Sequence, residues 1–305
     1  MSYCIDPYFG FDEFGDQSSP FYRTVRLCLT LSSGCYFVST ITGNVSQVDK
    51  IWSITPFLYA IMCVNDTRTF VMAILATIWG IRLSYNFSRR GGYTFPPWRG
   101  EEDYRWPLIR SGKLPGFAMM ANPYIFNLFN LVFVSFYQNI LLLLIVTPSI
   151  VANRASTTCG TGEFNTLDII ATFCFIISVF LETVADDQQY NFQTQKYVLI
   201  NSKSPLTGEF KVGYRQTGLY SIVRKPNYFF EQANWVIFYL FTVSSTGSWC
   251  NISGLGFILL LGLFQGSGKM TEDITERKYK SYKNYRARVG LYNPFYTLWQ
   301  KLKAD

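Results

Sequence analysis

Most of the chemistry available to this chain sits between Thr217 and Glu231, where it reads T-G-L-Y-S-I-V-R-K-P-N-Y-F-F-E. Pro226 suits the first position of a helix, because proline has no N–H to lose there and its φ is already helical. Arg224 and Lys225 then stand just before a ring of unpaired backbone N–H groups, a place where phosphate binds readily. Asn227 and Glu231, four residues apart, share one face of that helix. The plainer reading is a basic anchor at a membrane surface followed by an ordinary transmembrane helix, and these residues alone leave both open.

A second group of polar residues closes an apolar run at L-E-T-V-A-D-D-Q-Q-Y-N-F, residues 181–192. At helical spacing Glu182, Asp186, Gln189 and Gln193 align on one face, so carboxylates and amides emerge together at the end of the run. An ionisable side chain at that depth is costly and marks a functional position by default, although a solvated helix end gives the same pattern. Other chemistries are excluded. The sequence has no histidine, which removes Ser-His-Asp and Cys-His catalysis and every histidine-dependent metal site, and no metal is expected. Seven cysteines without a CxxC pair argue against a disulfide framework or a zinc site.

The elements that must position these groups are set by the solvent. Hydrophobic residues make up 49% of the 305, aromatic ones 18% and charged ones only 15%, too apolar for a soluble domain. Apolar stretches run over residues 21–42, 51–64, 70–87, 124–151, 169–184, 228–243 and 250–265. They predict an all-α, polytopic membrane helix bundle of about seven transmembrane helices. Ser244–Ser248 reads as a hairpin between the last two. Of the 27 Lys and Arg, 22 fall within residues 82–113, 196–225 and 269–303. Seven spans place all three segments on one face, cytosolic or matrix by the positive-inside rule. The net charge of +7 therefore reflects topology and does not point to nucleic acid. The acidic segment Met1–Gln17 lacks the basic start and apolar run of a signal peptide, and is expected as a mature N-terminus on the opposite side.

On the basic face, D-K-I-W-S-I-T-P at residues 49–56 opens the second stretch, and W-G-I-R-L-S at 79–84 closes the third. The loop that follows mixes charges of both signs with aromatics, which suits a folded cap better than a flexible tether. In the tail, Tyr279, Tyr282 and Tyr285 recur at every third residue and give it a face that can pack down.

These pieces, in the order D-K-I-W-S-I-x-P, W-G-I-R-L-S, E-x-x-A-D-x-Q-x-x-x-F, T-G-L-Y-x-x-x-R-K-P-N-Y-F-F-E and a tail closing on Asn293-Pro294-Phe295, resemble the steroid 5-alpha-reductase-like family of membrane proteins. Sterol reductases and isoprenylcysteine carboxyl methyltransferases resemble the same C-terminal half. The resemblance covers roughly residues 48–295, leaving 1–47 as an N-terminal segment with the first helix and 296–305 as a tail. It implies a C-terminal cofactor-type pocket on the basic face that encloses NADPH, from which hydride passes to a carbon–carbon double bond conjugated to a carbonyl. By the same resemblance Asp186 and Asn227 hydrogen-bond the cofactor, and Arg224, Lys225, Tyr228 and Glu231 line its site. A carbonyl acceptor needs a hydrogen-bond donor as enolate charge develops, and Tyr59 and Tyr85 are the candidates. Three departures stand out. Lys225 and Phe230 replace the usual histidine before Pro-Asn-Tyr and glycine before the glutamate, and Thr271 stands where steroid-reducing members place another histidine.

Three functions follow from this pattern: an NADPH-dependent reductase of a lipid or steroid-like enone, a family member that has lost catalysis and serves as an accessory subunit of a larger membrane assembly, such as a mitochondrial inner-membrane respiratory complex, or methyl transfer from S-adenosylmethionine. The expected setting is the endoplasmic reticulum or mitochondrial inner membrane, among membrane lipids. In sealed membranes the C-terminus is expected to be cleaved or labelled only from the basic face, and access from the other side would overturn the topology. The sequons at Asn65 and Asn251 fall on that other side, so near the spans that no glycan is expected.

Overall fold

The computed structural model describes residues 15–303; the expectations placed on the acidic segment before Gly15 lie outside them. All regular structure among the described residues is helical, apart from one bridge that pairs Val223 with Gly290. The chain folds as two units, Met1–Thr172 with Phe238–Phe257, and Phe173–Ile237 with Ile258–Asp305. This division differs from the three sequence segments, whose boundaries at 47/48 and 295/296 fall inside helices.

The first unit begins with α1 (Pro20–Thr42), α2 (Gln47–Ile51), α3 (Thr55–Met62), α4 (Thr67–Ser88) and α5 (Arg105–Arg110). A nearly continuous helical run follows, from α6 (Pro123–Phe129) through a π-helical segment (Asn130–Tyr137) to α7 (Gln138–Leu144) and α8 (Thr147–Cys159). The long α9 (Thr166–Asn201) starts in this unit and continues into the second. The second unit adds α10 (Gly208–Val212), the start of α11 (Pro226–Thr246), most of α12 (Leu255–Lys278), then α13 (Tyr282–Arg288) and α14 (Pro294–Leu302).

Among the described residues, four helices or helical runs are long and apolar enough to cross a membrane: residues 67–88, 123–159, 166–201 and 252–278. The chain is therefore read as a membrane protein. Of the other three expected spans, α1 and α11 have 23 and 21 residues, whereas the second stretch is broken. Its helix α3 has eight residues, roughly 12 Å of rise, because the backbone turns at Trp52–Ile54 before Pro56 restarts the helix.

Which residues point inward supports the membrane reading. The buried side of α1 is Thr24, Cys28, Ser32, Cys35 and Ser39, while Leu29, Phe37 and Ile41 face out. In α4 the outward stripe is Phe70, Ile74, Ile78 and Ile81, against Ala73, Ala76 and Gly80 inside. In α9, Ile169, Ile170, Phe173, Ile176, Ile177 and Phe180 are exposed and Ala171, Ser178 and Ala185 are buried. Small residues let helix backbones approach, and large apolar ones meet lipid. Gly80 shows how close the approach is, since a Cβ there would sit 2.5 Å from the Ser53 carbonyl oxygen.

One end of this unit is a folded cap, as the mixed charges of its loop predict. The Asn44 amide donates to the Gly100 carbonyl at 3.1 Å, Lys50 Nζ to the Arg99 carbonyl at 2.6 Å, and the Trp106 indole to Asp49 at 3.1 Å. At the other end Arg23 donates to the Met62 carbonyl at 3.2 Å and Asn153 to the Cys63 carbonyl at 2.9 Å. The broken α2–α3 segment thus connects the two ends in spite of its short helices. The hairpin after α11 is also present, with Gly247 at φ +71° and Tyr239 donating to the Trp249 carbonyl at 3.0 Å.

Two features have no counterpart in the sequence pattern. Cys159 is disulfide-bonded, although Cys28, Cys35, Cys63, Cys174 and Cys250 form no disulfide; cysteine spacing in sequence does not report pairing in space. Arg68, near the start of α4, is buried in an ion pair. Its Nε lies 3.0 and 3.1 Å from the Asp168 carboxylate oxygens, and its remaining nitrogens donate to the carbonyls of Thr161 and Glu163. Asp168 also accepts from the Asn165 N–H at 2.9 Å, which fixes the start of α9. Arg68→Ala strands a buried carboxylate and is expected to cost about 3–5 kcal/mol in reversible unfolding of the detergent-solubilised protein. A cost near that of an exposed pair, below about 1 kcal/mol, would deny the clamp any structural role.

Candidate functional site

The candidate site is built in the second unit, where the chain reaches α11. Pro226 opens that helix as its sequence predicts. Just before it, the backbone pairs with the tail: the Arg224 N–H donates to the Gly290 carbonyl at 2.9 Å and the Lys225 N–H to the Leu291 carbonyl at 3.4 Å. Position 290 has to be glycine, since a Cβ would lie 2.3 Å from the Asn293 carbonyl oxygen.

Arg224 does not stand open for an anion. Its Nε and Nη2 meet the two oxygens of Glu272 at 2.5 and 3.0 Å, and Nη1 donates to the carbonyls of Arg286, at 3.0 Å, and Val289. Both side chains are buried. Glu272 also accepts from the Tyr282 hydroxyl at 3.0 Å, with Arg286 Nε at 3.7 Å. A bidentate guanidinium–carboxylate pair of this kind is strong and directional, and here it ties the approach to α11, the end of α12 and α13 into one knot. Lys225 is half-buried, with Nζ 5.7 Å from the centre of the Tyr228 ring. The Tyr228 ring itself packs edge-on against Phe264.

Deeper along α9 and α11 lies a row of buried carboxylates and amides. Asn227 Nδ2 is 3.3 Å from Asp186 Oδ1, so the two residues that the resemblance assigns to one cofactor meet across 41 positions of sequence. Asn234 Nδ2 donates to Glu182 at 2.8 Å, the Trp235 indole to Glu231 at 3.0 Å, and Ser178 Oγ to the Phe230 carbonyl at 3.3 Å. The Leu219 N–H donates to the Gln188 side chain at 3.0 Å. Asp186, Glu182, Glu231 and Asn234 are all buried. Asn234 is a member that the sequence reading missed, although it lies seven residues after Asn227 on the same helical face. Its Oδ1 has no hydrogen-bond partner, a costly omission for a fully buried acceptor. Phe230 is half-buried and packs edge-on against Phe229, and Thr271 is buried with its hydroxyl on the Gly268 carbonyl at 2.9 Å.

Tyr59 and Tyr85 belong to the first unit and occupy contrasting places. Tyr59 is fully buried on α3, its hydroxyl beside the Cys28 thiol, whereas Tyr85 is 66% exposed on α4 and lies against Arg89.

The tail tyrosines pack as their spacing predicts. Tyr214, Tyr282, Tyr285 and Val289 form a buried cluster joined by Tyr279, and the Tyr285 hydroxyl donates to the Tyr220 carbonyl at 2.5 Å. Lys196 Nζ donates to the Tyr279 hydroxyl and the Gly213 carbonyl, each at 2.8 Å. Burial pushes the Tyr282 and Tyr285 phenols above their usual range, with the Glu272 charge adding to the rise.

In chemical terms the row of carboxylates and amides offers acceptors and amide donors to a neutral polar ligand edge, and the knot at Arg224 fixes the backbone beside it. Among the described residues no three His, Cys, Asp or Glu side chains cluster to hold a metal ion.

The family model described as "Protein of unknown function (DUF1295)" matches residues 35–289. An uncharacterized protein of Schizosaccharomyces pombe is 32% identical over 298 residues, covering 93% of this chain and 82% of the relative. No solved structure matches. The chain belongs to the DUF1295 family.

The raised tyrosine pKa values carry a pH dependence. A phenol whose folded pKa exceeds its unfolded value of about 10 adds stability that is complete below that pH and is lost as pH rises through the folded value. The unfolding midpoint in detergent is therefore expected to fall above pH of about 10, and less steeply in Tyr282→Phe. An identical alkaline slope in both proteins would remove Tyr282 from the cause.

Proposed function

We propose that this DUF1295-family protein is an integral membrane reductase that uses NADPH to reduce a conjugated carbon–carbon double bond in a lipid or steroid-like enone. The observation that carries this reading is the meeting of Asp186 and Asn227 at 3.3 Å, between the two helices that hold the motifs of the resemblance. Glu182, Glu231 and Asn234 extend that polar row. The residues fit a dinucleotide at its neutral edges: the unpartnered Asn234 Oδ1 suits an amide or hydroxyl donor, and the Asn227 side-chain amide carries both a donor and an acceptor. Lys225 and the basic residues of the tail are left to balance the phosphates, because Arg224 is saturated by Glu272.

NADPH would supply the hydride. This chain's own residues would orient it through Asp186 and Asn227, exclude water with the apolar walls of α9 and α11, and offer a donor to the enone carbonyl. The proposed topology keeps seven crossings, with the second made by the broken α2–α3 segment. The disulfide at Cys159 lies on the non-basic side in that topology. It therefore faces an oxidising compartment, which suits the endoplasmic reticulum lumen or, for an inner-membrane protein, the intermembrane space.

A second reading, an accessory subunit that has lost catalysis, draws on the commitment of Arg224 to Glu272 and on Phe230 in the place of a glycine. Titration of the purified, partner-free protein with NADPH, followed by assays of NADPH oxidation coupled to reduction of enone lipids, separates the two. Asn227→Ala is expected to weaken NADPH binding by about 1–3 kcal/mol without loss of the folded state. Unchanged affinity in that variant would remove Asn227 from the site, and no NADPH binding by the native protein would sink the reductase. Binding of S-adenosylmethionine instead would favour methyl transfer.

A further inference from the structure

The last helix is assembled inside out. Phe295, Leu298, Trp299 and Leu302 recur at the spacing of one helical stripe, and all four are exposed, Phe295 by 79% and Leu302 by 68%. The opposite side holds α14 to the protein. Thr297 is buried, its hydroxyl donating to the Ile222 carbonyl at 2.7 Å and accepting from the Gly290 N–H at 2.8 Å. The Tyr296 hydroxyl donates to the Ala287 carbonyl at 3.0 Å, and the Asn293 side chain caps the helix through the Tyr296 N–H at 3.1 Å. Rolling the helix to bury its apolar stripe would break these bonds, so the stripe is held outward by the polar side.

What covers it follows from charge and position. Exposed Lys301 and Lys303 flank the stripe, Lys303 Nζ lies 3.6 Å from the centre of the Trp299 ring, and Arg277, Lys278, Lys280, Lys283 and Arg288 are exposed on the same tail. Only 15 residues separate α14 from α12, which belongs to a run long and apolar enough to cross a membrane. Four side chains on one nine-residue helix fall short of the roughly 800 Å² per partner of a stable protein interface, and a second copy would bring the same positive charges together.

We propose that α14 lies in the plane of the membrane on the basic face. Its Phe295–Leu298–Trp299–Leu302 stripe is seated among the acyl chains, and the flanking lysines and arginines rest on anionic lipid headgroups. Aromatic and aliphatic residues beside lysine form the pattern of an interfacial helix. The assignment is independent of any reductase activity.

The test uses the full chain reconstituted in vesicles of phosphatidylcholine, with or without phosphatidylserine, in which the acyl chains are brominated. The fluorescence of Trp299 is taken as the difference between the native protein and Trp299→Phe. Quenching by the brominated lipid with protection from aqueous acrylamide is expected, and it should be stronger with phosphatidylserine. Lys301→Glu/Lys303→Glu should abolish the phosphatidylserine effect, and Leu298→Gln should lower the lipid quenching several-fold. Trp299 open to acrylamide and untouched by brominated lipid would overturn the proposal. Protection from both quenchers would overturn it equally, in favour of a protein partner.

Discussion

The second unit depends on one ion pair. Arg224 and Glu272 are buried together, and around them the start of α11, the end of α12 and α13 are joined through Tyr282, Arg286 and two backbone carbonyls. Removing either partner would leave a charge in a place that water does not reach, a larger loss than the pair's own net attraction. The backbone on which Asn227 and Glu231 stand is therefore set by residues far along the tail. An arginine that sequence places beside a phosphate site is used instead to hold the helix start that such a site would need.

The first unit meets its solvent by the opposite rule from a soluble protein. Serine, cysteine, threonine and alanine line its helix interfaces, and isoleucine and phenylalanine stripes face outward. Under that rule polar residues inside the bundle need partners from the protein, which they find at the cap through Lys50, Asp49 and Asn44. The buried row on α9 and α11 extends the same logic. Carboxylates at that depth are held by neighbouring N–H groups, and Asn234 keeps an acceptor in reserve.

Local signals in the sequence proved readable where the cause is local. Pro226 starts α11, Gly247 turns the hairpin, and Tyr279, Tyr282 and Tyr285 pack on one side. Long-range partners were not legible. Arg224 finds Glu272 across 48 positions and Arg68 finds Asp168 across 100, and neither distance leaves a mark in hydrophobic period. The break in the second stretch was hidden too, because an apolar run looks the same whether it forms one helix or two short pieces around a turn. Asn234 was readable in principle from its helical register, but an amide within an apolar run carries less signal than a charge.

The clamp at Arg68 also bears on how the chain is made. Its guanidinium ends within the folded unit, yet Asp168 leaves the ribosome 100 residues later, a delay of roughly 5–20 s at ordinary translation speeds. Throughout that interval Arg68 lacks the carboxylate that holds it in the folded unit. The start of α4 therefore reaches its final packing only after the start of α9 has been made.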